Sequence, residues 1–212
     1  MKTVLSAIAL AAAAAALPMM AQASVLPSGV QNNVSSGTVA GWGFTECFAS
    51  PYGNYGPVVS DILAGCSGDY LMLAARRVGS SEFEVLAAAA TADVTFDTGS
   101  GNETHAANGV EWYFSQDYSW GFAGAGDAVS RNSCDTNGQN ESDRLCWHTG
   151  GGQMNGGWRA GTYTWLNGST DWEKVLLVAD AGAPSDVPEP ASLAILGLGL
   201  AGLAASRRKA GK

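Results

Sequence analysis

The sequence predicts a mainly β domain, a sandwich or compact barrel carrying one or two short helices. Three observations lead to it. Short apolar and aromatic segments are punctuated by glycine, which occurs 28 times in 212 residues. Tyr118-Ser119-Trp120-Gly121-Phe122 alternates with period two, the spacing of a half-buried strand. All seven Trp, six Tyr and six Phe lie between Trp42 and Trp172, an aromatic load that a disordered spacer does not carry.

From the start, Lys2 gives a short positive region, Val4 to Leu17 an Ala-rich apolar core, and Ala21-Gln22-Ala23 a small-residue cleavage site before Ser24. Residues 1–23 therefore read as a secretory signal peptide, handled by the Sec machinery and set aside from fold reasoning. Residues 24–40 are polar and rich in Gly, Ser and Asn, a linker or a loosely held first strand. The ectodomain proper spans 41–180. Within it, Val58 to Ala64 reads as a short helix with Ser60-Asp61 near its start. Tyr70 to Ala75 is strand or buried helix, and periodicity does not separate the two. Phe83-Glu84-Val85-Leu86, Asp93-Val94-Thr95-Phe96, Val110 to Phe114, Tyr163-Thr164-Trp165 and Val175 to Val178 read as strands. Ala87 to Ala90 has high helix propensity but little length, so a neighbouring strand can override it. Residues 181–186 are a short linker into a tail at 187–212.

Cys47, Cys66, Cys134 and Cys146 all lie in this exported region, and an even count outside the cytoplasm reads as disulfides. Three connectivities exist; nearest-neighbour pairing, Cys47 with Cys66 and Cys134 with Cys146, closes two short loops and is the expectation. The close pairs of a zinc site are absent. Residues 24–186 carry 18 Asp/Glu against 6 Lys/Arg, a net charge of −12. Such a surface repels phosphate backbones and disfavours nucleic acid. It tolerates divalent cations and neutral or basic partners.

Val187-Pro188-Glu189-Pro190 denies a helix at that point, because two prolines hold the backbone extended. An apolar run from Leu193 to Ala205 follows, then Arg207-Arg208-Lys209. The run is shorter than the roughly 20 residues of a stable span. The basic cluster belongs on the cytoplasmic side, which places everything upstream outside. This three-part tail resembles the PEP-CTERM sorting signal of exported bacterial proteins. The resemblance implies recognition by an exosortase, cleavage near Pro188-Glu189-Pro190, transient inner-membrane anchoring, and a Gram-negative cell that makes exopolysaccharide. Release to the cell surface or the extracellular space is the implied destination.

Several motifs touch on chemistry. Asp97-Thr98-Gly99-Ser100 resembles the catalytic turn of aspartic proteases, which need two facing carboxylates. The chain holds one such motif, so a secreted hydrolase would need a homodimer; a Gly-rich turn explains the same residues. Asp135 to Asp143 crowds oxygen ligands between two cysteines, where Ca²⁺ is the one cofactor worth considering, although the EF-hand register is absent. His105 and His148 are the only histidines, and no Gly-x-Ser-x-Gly elbow supplies them a nucleophile. No catalytic residue is assigned. The tryptophans are more numerous than a core of this size needs. Trp158, Trp165 and Trp172 each have polar neighbours, and exposed indoles are surfaces on which sugar rings stack. The expected role is non-catalytic: a binding or structural component associated with exopolysaccharide.

Overall fold

A computed structural model describes residues 24–182. The signal-peptide positions Ala21 and Ala23 and the tail positions Val187, Pro188, Glu189, Pro190, Arg207 and Arg208 lie outside the described residues. Two antiparallel sheets pack face to face, which makes the domain a β-sandwich. The strands are β1 (Gln31–Ser35), β2 (Thr45–Pro51), β3 (Tyr55–Val58), β4 (Tyr70–Arg77), β5 (Glu82–Ala90), β6 (His105–Ala107), β7 (Val110–Phe114), β8 (Ser119–Gly124), β9 (Leu145–His148), β10 (Gln153–Asn155), β11 (Gly157–Ala160), β12 (Tyr163–Thr164) and β13 (Trp172–Ala179). The first sheet runs β1-β5-β4-β13-β2 and the second β12-β11-β9-β8-β7-β6; β3 and β10 form a separate pair. Three short α-helices, α1 (Ser36–Gly41), α2 (Val59–Gly65) and α3 (Thr91–Val94), decorate the strands. Among the described residues no helix is long and apolar enough to cross a membrane.

The inner faces fit by volume. Leu71, Leu73, Ala75, Ala87, Ala89 and Leu176 of the first sheet meet Trp112, Phe114, Trp120, Phe122 and Trp147 of the second. Small alanines opposite large indoles fill the interlayer space at the density of a protein interior. This decides the conformation of Ala87–Ala90. As strand β5 it places Ala87 opposite Leu73 and Ala89 opposite Leu71, and tertiary packing overrides helix propensity. Tyr70–Ala75 is likewise strand, within β4.

The first sheet is apolar on both faces, because its outer face is also covered. Met72, Ala74, Leu86, Ala88, Val175 and Leu177 form a second core with Val39 of α1 and Phe44. The segment read as a linker or loose strand over residues 24–40 is thus structural. Ser35 caps α1 by accepting from the Thr38 amide at 3.1 Å, and β1 pairs with β5. Ser24 donates to the Asp180 carbonyl at 2.7 Å, so the two ends of the domain meet. Asp93–Phe96 is not the expected strand. Thr91–Val94 turns as α3, and the Val94 carbonyl accepts the indole N–H of Trp120 at 3.0 Å.

Over the outer face of the second sheet lies the 125–144 loop, packed through Val129 and Cys134 against Tyr113, Ala123 and Cys146. The disulfides are Cys47–Cys66, joining β2 to the end of α2, and Cys134–Cys146, joining this loop to β9. Beneath the loop Arg144 is fully buried, pairing with Asp135 at 2.6 Å and Asp127 at 3.4 Å. At Gly121 a side chain would run into the Leu145 carbonyl and the Tyr113 hydroxyl, which hydrogen-bond each other across β8 at 2.9 Å.

Candidate functional site

Sequence places turn-forming residues at one end of the second sheet, and the turns enclose a groove of about 420 Å³. Tyr55 enters from β3, Asp117 and Tyr118 from the β7–β8 hairpin, and Ser133 from the stapled loop. His148 closes β9, Gly150 and Asn155 flank the following turn, and Asn167 follows β12. Two phenol rings thus stand among carboxylate, hydroxyl, imidazole and amide groups. The volume lies in the range of small-ligand sites.

The groove wall is held by its own lining. The Tyr118 hydroxyl accepts from the Ser133 amide at 2.7 Å, and His148 Nδ1 lies 2.9 Å from the Ser133 carbonyl. A carbonyl accepts only, so Nδ1 carries the proton and Nε2 is left as an acceptor. Burial lowers the His148 pKa below the ordinary imidazole value, opposed by the hydrogen bonds to Ser133 and Asn167. Asn155 Nδ2 donates to the Gly150 carbonyl at 2.6 Å, and Asn167 Oδ1 accepts from the Gly157 amide at 3.0 Å. Asp117 is exposed at the hairpin tip, with no ion pair among the described residues. Lys174 is buried beside the Tyr52 ring, with its ammonium 3.4 Å from the carbonyls of Tyr52 and Asn54. Burial without a carboxylate lowers its pKa to about 8.

Backbone strain gathers at this end. Ser133 has φ +63° and Trp165 φ +62°, conformations that cost a side-chain-bearing residue on the order of 1–3 kcal/mol. Trp165 is 78% exposed and sits two residues from Asn167, within about 7 Å along an extended chain.

The three tryptophans singled out as ligand-binding residues part company. Trp158 and Trp165 meet edge to face with centroids 4.1 Å apart, because a bulge in β11 turns Trp158 toward the outer face with Arg159. Trp172 points into the core, 3% exposed, under Tyr163 and the Arg77 guanidinium. Tyr55, Tyr118 and Asp117 were not legible as site residues. Strand ends and hairpin tips converge only in three dimensions.

The other motifs resolve into structure. Asp97 is exposed, and its Oδ1 accepts the Gly99 amide at 2.8 Å, closing a local turn. Asp135 is fully buried; besides Arg144 it accepts the Ser130 and Asn137 amides at 2.9 and 3.0 Å. The oxygens at the head of the acidic loop are therefore taken. His105 pairs with Asp93 at 2.8 Å and stacks on Phe96. Among the described residues no three His, Cys, Asp or Glu side chains gather as a metal site.

No curated protein and no solved structure matches the chain. Residues 186–209 match the family described as the PEP-CTERM protein-sorting motif. That region holds the Pro188-Glu189-Pro190 element, the apolar run and Arg207-Arg208, in the order that a sorting tail requires. The chain thus carries the PEP-CTERM sorting tail of an exported exosortase substrate, anchored transiently in the membrane before processing.

Proposed function

We propose that the ectodomain is a non-catalytic binding module of the cell surface or extracellular matrix, and that its groove holds a polysaccharide. The observation that carries this reading is the groove lining: Tyr55 and Tyr118 beside Asp117, Asn155, Asn167 and His148. Phenol faces receive the apolar faces of sugar rings, and short polar side chains meet their hydroxyls. Trp165, exposed two residues before the lining residue Asn167, offers a further aromatic face. The exosortase-type tail supports it by delivering the domain to the outside of the cell, where such polymers lie.

The test is direct. The exported protein, incubated with exopolysaccharide of the producing cell, is expected to co-sediment with it. Tyr55→Ala and Trp165→Ala are each expected to weaken retention about tenfold, roughly the loss of one aromatic–sugar contact. Retention unchanged in the double variant would refute the groove as the binding surface.

A further inference from the structure

The six cations of the ectodomain are almost all withdrawn from solvent. Arg131, Arg144, Arg159 and Lys174 are buried. Arg76 is largely buried and ion-paired to Glu46 and Glu173. Arg77 alone among the described ones is exposed, and its guanidinium lies over Tyr163 and Trp172. The carboxylates go the other way: Asp61, Asp69, Glu82, Glu103, Asp117 and Asp171 are all exposed. The surface field is therefore predominantly negative, since five of the six cations are withdrawn while most carboxylates, Asp135 being the fully buried exception, keep contact with solvent. Such a field draws cationic partners and repels anionic ones.

At the groove this field acquires an aim. Asp117, a carboxylate without an ion pair among the described residues, stands next to Tyr118 on the hairpin and lines the same groove as Tyr55. The Arg131 guanidinium already lies over the Tyr118 ring, so the exposed phenol of the lining is Tyr55; a carboxylate in the same groove suits an ammonium group, which gains an ion pair and a cation–π contact together. Burial favours the neutral form of His148, the other ionisable side chain of the lining beside the phenols, against the opposing hydrogen bond to the Ser133 carbonyl. Lys174 is buried outside the lining, its ammonium donating to the carbonyls of Tyr52 and Asn54. The one formal charge that the lining presents is negative.

Building on the groove reading, we propose that the ligand is an amino polysaccharide bearing free, protonated amines, with Asp117 as the residue that selects it. Uronate-rich and sulfated polymers are excluded by the same charges. Asp117 occupies the turn in which the Tyr118 amide donates to the Ser115 carbonyl, and asparagine suits that turn as well, so Asp117→Asn removes the charge and keeps the fold.

The experiment compares a β-1,4-linked glucosamine oligomer with its fully N-acetylated counterpart of equal length. Both are titrated into the exported protein by calorimetry in mildly acidic buffer. The amine form is expected to bind at least about tenfold tighter at low salt, a preference that shrinks as added salt screens it. Asp117→Asn is expected to abolish most of the preference, while Asp171→Asn, an equal charge change away from the groove, leaves it intact. Equal affinity for both oligomers, with both lost in Tyr55→Ala, overturns the amine selection and leaves the groove reading standing. Binding of neither oligomer, nor of the native polymer, overturns both. Equal losses in Asp117→Asn and Asp171→Asn overturn Asp117 as the selecting residue.

Discussion

His148 Nδ1 lies 2.9 Å from the carbonyl oxygen of Ser133, a residue held at φ +63°. This bond spans the groove wall and joins the end of β9 to the stapled loop. Two residues before His148, Cys146 makes the covalent link to Cys134, the neighbour of Ser133. A hydrogen bond and a disulfide thus fix the same strained turn from adjacent positions.

The His148 pKa is lowered on folding, first by burial. Below its unfolded value the unfolded chain binds more protons, so stability is full above about pH 6.5, falls as pH drops below that value, and levels off once pH is below the folded pKa. Thermal melts between about pH 5 and 7 are expected to show this slope, and His148→Gln to flatten it. An unchanged slope in the variant would remove His148 as its source.

Lys174 carries the larger linkage. Its folded pKa of about 8 lies below its unfolded value of 10.5, so stability is expected to rise with pH between them. Below about pH 8 the buried ammonium costs on the order of 3 kcal/mol. Lys174→Met is expected to raise the unfolding free energy measured by urea titration at neutral pH by a comparable amount and to lose the alkaline rise. The rise ends near about pH 10, where the phenols of Tyr52 and Tyr113, whose pKa values burial pushes up, begin to favour unfolding.

Removing the second disulfide, as Cys134→Ala with Cys146→Ala, is expected to cost about 3 kcal/mol, since it frees a short loop in the unfolded chain. Hydrogen exchange should accelerate across residues 127–144 and at Ser133, while β4, β5 and β13 stay protected. Uniform acceleration across both sheets would mean that the staple supports the whole sandwich instead.

Trp165→Gly separates stability from display. Glycine relieves the positive φ, while the edge contact with Trp158 is lost. The urea midpoint is expected to stay level or rise slightly, and affinity for polysaccharide to fall about tenfold. A drop in stability of several kcal/mol would show that Trp165 is held for packing.

Much of the fold was legible because strands leave local traces. The alternation of Tyr118 to Phe122 and the aromatic run Val110 to Phe114 appear as β8 and β7. Val58 to Ala64 is α2 within one residue at each end. Ala87 to Ala90 was ambiguous, because alanine favours helix locally and strand only where Trp112 and Trp120 stand opposite. Residues 24–40 read either as a linker or as a loosely held first strand, and β1 with α1 realises the second. Their role rests on a few apolar contacts, Val39 above all, that periodicity over so short a span does not reveal.

The sequence by itself determined that this protein carries an export-sorting tail and what kind of domain precedes it. The signals for those are contiguous: a peptide element read along the chain at 186–209, and alternation read along each strand. Only the tertiary structure decided which side chains share a surface. It buried Trp172, displayed Trp165, took the cations inward and brought Tyr55, Asp117 and Asn167 to one groove from three separate turns. The reason is that a binding surface is assembled by contacts distant in sequence, and such contacts leave no local periodicity to read.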